Sequence, residues 1–380
     1  MTVFFGARLF DGEKFHNDAA LVVEGASIRA LVDFDERPRG GDEVDLGGGI
    51  LAPGFIDWQI NGGGGKLFNA EPTVETIAAI AAAHRRAGVT GFLPTVVTDA
   101  PHVLAEALSA ARAARARVPG ALGIHVEGPF IDPRRKGVHP AEFIRPMRDE
   151  DVETLIAMRA GVMVVTLAPS SVTLERIARL VEAGLVVSLG HTDASADEAR
   201  AVFDAGVRAV THLYNAMSQL SSRAPGVVGA ALADPRVVCG LVADGEHAHP
   251  AAYRAAIAAK GAHGVALVSD AMPPAAGGPD VFELQGRRMT RVGRKLTAED
   301  GTLAGAVITM RDAVAYVAND LRLPLSDALT MATLTPARLI GLNDEIGRLA
   351  PGRRADLVHL TDTLDVERVW MSGRAVEDLR

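Results

Sequence analysis

Apolar and polar positions along the chain follow two rhythms, and the change between them comes near residue 53. From residue 1 to about 52, the apolar runs Val3 to Phe5, Ala20 to Val23 and Ser27 to Val32 are short. They are separated by turn signals at Asp11-Gly12, Glu24-Gly25, Gly40-Gly41 and Gly47-Gly48-Gly49, which predicts short strands. Beyond Pro53, segments of helical and strand length alternate. Helix Thr73 to Ala87 leads into strand Val89 to Leu93, helix His102 to Arg117 into Leu122 to Val126, and helix Asp149 to Met158 into Val162 to Leu167. Helix Thr173 to Ala183 then precedes Leu185 to Leu189, and helix Ser195 to Ala205 precedes Val207 to Thr211. Gly88, Gly161, Gly184 and Gly206 each follow a helix, where a left-handed cap costs glycine least. Repeated β/α units of this kind predict an α/β protein built as a (β/α)8 TIM-like barrel.

The opening texture returns from about residue 343, with Leu357 to Leu360 and Val366 to Met371 as strands. The expected organisation is a small discontinuous β-sandwich domain of residues 1–52 and 343–380 around a barrel of residues 53–342. A hairpin insertion is expected near 273–300, where Pro273 to Gly278 breaks the rhythm ahead of Val281 to Leu284 and Arg287 to Leu296.

Four apolar runs stop at a side chain able to bind metal or move a proton. They are Leu122 to Ile124 before His125-Val126-Glu127, Leu185 to Leu189 before Gly190-His191, Ala209-Val210-Thr211 before His212, and Val265 to Ser269 before Asp270. In a parallel barrel the C-terminal ends of the strands share one face, and that face carries the active site. Alternation along a strand points His125 and Glu127 the same way, so spacing leaves either as a ligand. Either one, with His191 and His212, gives a set that suits zinc or ferrous iron, most simply two histidines and the carboxylate.

Taken singly, each of these residues has a plainer reading. A lone strand-end histidine is usually a hydrogen-bonded structural group, and a lone Glu127 is an acid in a salt bridge or at the surface. Asp270 alone would be a helix N-cap, although Pro273-Pro274 works against an immediate helix. Beside a metal-bound water, the same carboxylate can take a proton and return it to a leaving amine. His139 reads as a solvent-exposed loop histidine and Arg134-Arg135-Lys136 as a solvated loop face. Asn215-Ala216, Arg223 and Asp244-Gly245-Glu246-His247 offer loop amides, a guanidinium and an imidazole, which suits a phosphate cradle. Ordinary surface loops have much the same composition.

Composition narrows the partners. With 380 residues, 48% hydrophobic and 23% charged, the chain is that of a globular protein with a sizeable core. A formal charge of −8 with scattered arginines predicts no nucleic-acid partner. The single cysteine, Cys239, excludes an intramolecular disulfide framework and fits a reducing compartment, with the cytoplasm as the expected location. Charge at Arg8 interrupts the N-terminus too early for a signal peptide, and no run approaches the ~20 apolar residues of a membrane span.

In order and spacing, several segments closely resemble the N-acetylglucosamine-6-phosphate deacetylase family of the amidohydrolase superfamily. They are Pro53-Gly-Phe-Ile-Asp57-Trp-Gln59-Ile-Asn61-Gly-Gly, His125-Val-Glu127-Gly-Pro-Phe, Lys136-Gly-Val-His139, Gly190-His191-Thr, Thr211-His212-Leu-Tyr-Asn215-Ala-Met217, Ala243-Asp-Gly-Glu-His247 and Ser269-Asp270-Ala. The resemblance runs from about residue 50 to Pro351-Gly-Arg-Arg-Ala-Asp356. It implies a (β/α)8 barrel with a small β-sandwich in a homodimer. The implied reaction is hydrolysis of the acetamide of N-acetyl-D-glucosamine 6-phosphate to D-glucosamine 6-phosphate and acetate.

Matched by motif, Glu127, His191 and His212 would hold a divalent metal, zinc or alternatively ferrous iron, and the resemblance thereby selects Glu127 over His125. Asp270 would be the general base and then acid, and His139 would hold and polarise the acetyl carbonyl. Substrate contacts would fall on Val138, His139, Asn215, Ala216, Arg223, Asp244, His247, Leu303, Ala304 and Gly305. Many amidohydrolases carry His-x-His at the end of the first strand, whereas this chain has Gln59-x-Asn61. Amides are poor zinc ligands, so one metal per subunit is expected rather than two. A rival reaction is deacetylation of N-acetylgalactosamine 6-phosphate, since metal and base do not report the configuration of one sugar hydroxyl. A rival class is a non-catalytic barrel scaffold, against which the intact Glu127, His191, His212 and Asp270 weigh.

Overall fold

The computed structural model describes residues 1–376. Eight parallel strands pair in chain order: β1 (Phe55–Ile60), β2 (Val89–Val97), β3 (Gly123–Glu127), β4 (Val162–Leu167), β5 (Val186–Leu189), β6 (Ala209–Val210), β7 (Val238–Leu241) and β8 (Val265–Leu267). Every residue of β1, β3, β4 and β8 is buried, as expected for strands covered on both faces. The two ends of the sheet meet just past β8. Ile60 bridges Ala271 in parallel, the Asp270 amide donates to the Gln59 carbonyl at 3.1 Å, and the Asn61 amide donates to the Ala271 carbonyl at 3.0 Å. Barrel closure therefore brings Gln59 and Asn61 beside Asp270.

A helix follows each strand: α1 (Val74–Arg85), α2 (Pro101–Arg117), α3 (Asp149–Met158), α4 (Leu174–Glu182), α5 (Ala196–Asp204), α6 (Gly226–Ala233), α7 (Pro250–Lys260) and α8 (Met310–Ala315). Local sequence sets their starts. The Thr73 hydroxyl accepts from the Thr76 amide, and Ser195 with Glu198 and Thr309 with Asp312 form reciprocal capping boxes. The four glycines expected to end helices all have positive φ. At Gly88 the need is also steric, because a Cβ there would lie 2.9 Å from Phe55 and from Val358.

Strands from the two ends of the chain share one layer. Thr2–Phe5, Ala19–Glu24, Ser27–Asp33 and Asp42–Asp45 form a four-stranded sheet. Ile50–Pro53, which runs on into β1, pairs antiparallel with Leu357–Leu360 in a six-stranded sheet. Phe4, Leu9, Leu21, Ile28 and Trp370 are buried in a core of their own, with the Phe4 and Trp370 rings edge-on at 5.1 Å. The expected terminal span reaches residue 380, and residues 377–380 lie outside those described.

The insertion differs from expectation. In place of a hairpin, Val281–Leu284, Arg287–Val292 and Lys295–Ala298 form a three-stranded antiparallel meander. The run from Arg287 to Leu296 is cut at Gly293, whose φ of +64° makes a second turn. Leu284, Met289 and Leu296 pack the meander onto Leu67, Met272 and Ala304, at the end of the barrel where the strands finish. Among the described residues, no helix is long and apolar enough to cross a membrane.

Phe4 is fully buried, so Phe4→Ala is expected to lower the unfolding free energy by about 3–5 kcal/mol, measured by guanidinium denaturation. A loss under about 1 kcal/mol would contradict the packing described for this layer.

Candidate active site

Glu127 is the last residue of β3, and its neighbours across the sheet are Val97 and Thr166. His191 and His212 lie two residues beyond the ends of β5 and β6, and Asp270 lies three beyond β8. All three adopt left-handed backbone, with φ of +46°, +28° and +47°. Side chains other than glycine seldom accept that conformation, and where a fold imposes it the site is usually functional.

His125, on the same face as Glu127, has both ring nitrogens occupied: Nδ1 lies 3.2 Å from the Thr95 hydroxyl and Nε2 2.7 Å from the Thr166 hydroxyl. Burial pushes its pKa down to about 4, and its ring packs beside Trp58 inside the barrel. Geometry thus separates two residues that spacing leaves equivalent.

Glu127 Oε1 lies 3.2 Å from His191 Nε2 and 3.0 Å from His212 Nε2, and the two Nε2 atoms are 3.1 Å apart. Donors at about 2.0–2.1 Å around a tetrahedral zinc stand about 3.3 Å from each other, so the triangle has the dimensions of a metal face. His191 Nδ1 donates to the Arg135 carbonyl at 2.9 Å, which leaves the Nε2 lone pair facing Glu127 and His212. Two imidazole nitrogens at this separation are favourable only with a proton or a cation between them. The donor set therefore fits a divalent metal. Burial works to raise the Glu127 pKa, but the His191 and His212 imidazoles beside it overcome this and hold the carboxyl well below its usual range.

His139 is buried, contrary to its reading as an exposed loop histidine. Its ring centroid is 4.4 Å from that of His191, and one of its nitrogens falls within 4.8 Å of ligand atoms of both Glu127 and His191. His212 makes the tighter triangle, and His139 Nδ1 is engaged by the Thr98 hydroxyl at 2.8 Å. Burial first, and then the neighbouring His191, push the His139 pKa down to about 3, so the ring is neutral.

Asp270 Oδ1 accepts from Asn61 Nδ2 at 2.7 Å and from Gln59 Nε2 at 3.2 Å. The same Gln59 Nε2 lies 3.3 and 3.4 Å from the two Glu127 oxygens, and Gln59 Oε1 accepts from the Thr211 hydroxyl. The two amides therefore act as donors to carboxylates. Burial, then the charge of Glu127, raise the Asp270 pKa to about 6, a range suited to taking and returning a proton.

Asn61, Glu127, His191, His212 and Asp270 line one cavity of about 570 Å³, together with Val138, His139, Asn215, Ala216, His247, Leu303, Ala304 and Gly305. Two expected contacts are not on its wall. Arg223 is exposed on a loop elsewhere, and Asp244 is buried behind His247. Asp244 Oδ2 bonds His247 Nδ1 at 2.7 Å, while Oδ1 accepts the Glu246 and His247 amides, so Asp244 orients His247. Glu246 is exposed and off the wall. The cavity also takes in Arg134, Arg135 and Lys295, of which the first two belong to the run read as a solvated face. Arg135 is held by Asp193 at 2.7 Å, and Arg134 by Asp132 at 2.7 Å. Nothing in a three-residue charge run marks it as cavity wall.

The amidohydrolase family matches residues 50–376. An N-acetylgalactosamine-6-phosphate deacetylase of a Shewanella species is 44% identical over 329 residues, covering 86% of this chain and 83% of that protein. An N-acetylglucosamine-6-phosphate deacetylase of Haemophilus influenzae is 34% identical over 366 residues, 95% of each chain. Among solved structures, N-acetylglucosamine-6-phosphate deacetylase from Pasteurella multocida superposes with a TM-score of 0.96 at 33% identity, covering 99% of both chains.

Glu127→Ala, His191→Ala and His212→Ala are each expected to strip the purified protein of most of its divalent metal, while Asp270→Asn keeps it, as measured by elemental analysis. Metal retained in full by all three would contradict the assignment of the triangle.

Proposed function

The chain belongs to the amidohydrolase family, and on that premise we propose that it hydrolyses the acetamide of N-acetyl-D-glucosamine 6-phosphate to D-glucosamine 6-phosphate and acetate. One observation carries the reading: the Glu127–His191–His212 triangle opens into the same buried cavity as Asp270, a carboxyl of raised pKa. The names of the relatives at 34% and 33% identity support the acetylated amino-sugar phosphate as substrate, and so place the chain in amino-sugar metabolism.

In our reading Glu127, His191 and His212 hold one divalent ion per subunit, zinc in preference to ferrous iron. When bound, such an ion makes water nucleophilic at neutral pH and polarises the amide carbonyl. Asp270, oriented by the amide donors of Asn61 and Gln59, takes the proton lost by the attacking water. It returns that proton to the sugar nitrogen as the C–N bond breaks, so the carboxylate is regenerated with each acetate and amine released. His139 faces the acetyl oxygen. His247, oriented by Asp244, receives the phosphate. The homodimer we propose follows from the family resemblance, and in it Arg223, whose own loop lies away from this cavity, would join His247 from the second copy. The cytoplasm is the proposed compartment, supported by the single, buried cysteine.

A second reading, deacetylation of the galacto epimer, is favoured by the relative at 44% identity that bears that name. The metal triangle and Asp270 serve both substrates equally.

Asp270→Asn is expected to lower kcat by about 10²–10⁴-fold with metal content unchanged, and near-normal turnover would remove Asp270 from the mechanism. Acetate release should be compared for N-acetylglucosamine 6-phosphate, its galacto epimer and unphosphorylated N-acetylglucosamine. The expected order is the first substrate, then the epimer, with the unphosphorylated sugar far behind. Preference for the epimer selects the second reading, and no release from any of them by metal-loaded protein contradicts both. In the same assay Arg223→Ala should raise KM for the phosphorylated sugar alone, and an equal rise for both sugars would deny it the phosphate.

A further inference from the structure

Thr98 directly follows β2, one residue beyond the Val97 that pairs with Glu127. It is buried, and its hydroxyl lies 2.8 Å from His139 Nδ1, its one side-chain hydrogen-bond partner among the described residues. A neutral imidazole carries a single ring proton. On Nδ1, that proton would go to Thr98 and leave the threonine's own hydroxyl hydrogen buried without an acceptor. On Nε2, Thr98 donates to the bare Nδ1 and both groups are satisfied. We propose that Thr98 is a positioning residue that fixes His139 as its Nε2–H tautomer and aims that N–H into the cavity, toward the acyl oxygen that gains charge during amide hydrolysis. A hydrogen bond received at Nδ1 also makes the opposite N–H a stronger donor, and a fixed donor aimed at developing negative charge is what an oxyanion site requires.

The surroundings hold this pair in place. Gly128, at φ +80°, is the residue over which the hydroxyl approaches: a Cβ there would stand 2.1 Å from Thr98 Oγ1 and 3.6 Å from His139 Nδ1. On one side of the strand end, Asn69 bonds the Val97 amide at 2.9 Å, the Val97 carbonyl at 3.0 Å and the Asp99 carboxylate at 3.0 Å. On the other side, Gln285 of the meander donates to the Thr98 carbonyl and, at 2.8 Å, to the same Asp99 carboxylate. Five residues outside the metal triangle thus fix one threonine hydroxyl against one ring nitrogen. Packing alone would be served equally well by valine.

The kinetic part of the test rests on the deacetylase reading, and the spectroscopic part does not. Metal-loaded wild type, Thr98→Val, Thr98→Ser, His139→Asn and the Thr98→Val/His139→Asn double variant are compared. Long-range ¹⁵N–¹H spectra, with His139 assigned by its absence in His139→Asn, are expected to show the Nε2–H pattern in wild type and Thr98→Ser, and loss of that pure pattern in Thr98→Val. Thr98→Val should lower kcat about tenfold or more, with KM and metal content little changed. Thr98→Ser should recover most of that activity, and Thr98→Val should add no further loss in the His139→Asn background. An Nδ1–H tautomer in wild type overturns the proposal without recourse to any variant. So does a Thr98→Ser enzyme as slow as Thr98→Val, or a Thr98→Val effect undiminished without His139. A wild type that shows the Nε2–H tautomer yet releases no acetate supports the tautomer assignment and counts against the deacetylase reading alone.

Discussion

Two carboxylates, Glu127 and Asp270, are buried at the mouth of one barrel, and the rest of the site is organised around making that tolerable. A buried charge without partners is expensive, and a second of the same sign nearby makes it more so. The chain divides the problem. Glu127 has two imidazoles at 3.0 and 3.2 Å, while Asp270 has the amide of Asn61 at 2.7 Å. Gln59 Nε2 stands between the two acids and donates toward both. Amides supply hydrogen-bond donors but no positive charge, so the place we propose for a cation is the face formed by Glu127, His191 and His212. On that proposal the Gln59-x-Asn61 pair would account for a single metal position in physical terms: it fills with N–H donors the space that two imidazoles would offer to a second ion.

The fold delivers this arrangement by where it closes. Asp270 reaches Gln59 and Asn61 because the end of β8 is hydrogen-bonded to the end of β1, and His191 and His212 turn inward because each takes left-handed backbone just past its strand. The floor of the cavity is acidic and its wall carries Arg134, Arg135, Lys295 and His247. Such a gradient suits a substrate whose reacting amide goes inward and whose anionic group is met by cations. The meander does more than cover the mouth, since Gln285 ties it to the strand end that carries Thr98.

Much of this was legible in the sequence because period and punctuation are local signals. Apolar runs of strand length, Ala-rich helices and the glycines after them led to the barrel, and the residues at the ends of the runs are the ones found at its mouth. Most boundaries moved by a residue or two, as at α1, expected from 73 to 87 and found as Val74–Arg85, while β2, expected to end at Leu93, runs on to Val97. What failed depends on contacts between distant segments. Period-2 alternation could not separate His125 from Glu127, since both do face inward, and only the threonines at 95 and 166 make His125 structural. His139, on a loop as read, looked solvent-exposed because the Thr98 whose hydroxyl engages it is 41 residues away. Arg134 and Arg135 do reach solvent, as read, but their place on the cavity wall depends on Asp132 and Asp193, which no pattern in the run discloses. Thr98 itself had no signal at all, being one threonine at the end of a strand.

The central claim is that this site holds one ion, on the Glu127–His191–His212 face, with Gln59 and Asn61 standing where a second would bind. Anomalous diffraction from crystals of the metal-loaded protein, recorded on both sides of the absorption edge, tests it most directly. A single peak bonded to Glu127, His191 and His212, with the amides of Gln59 and Asn61 turned to the carboxylates, is the result the account predicts. Two peaks about 3.5–4 Å apart, or one peak bound through Gln59 and Asn61, would contradict it.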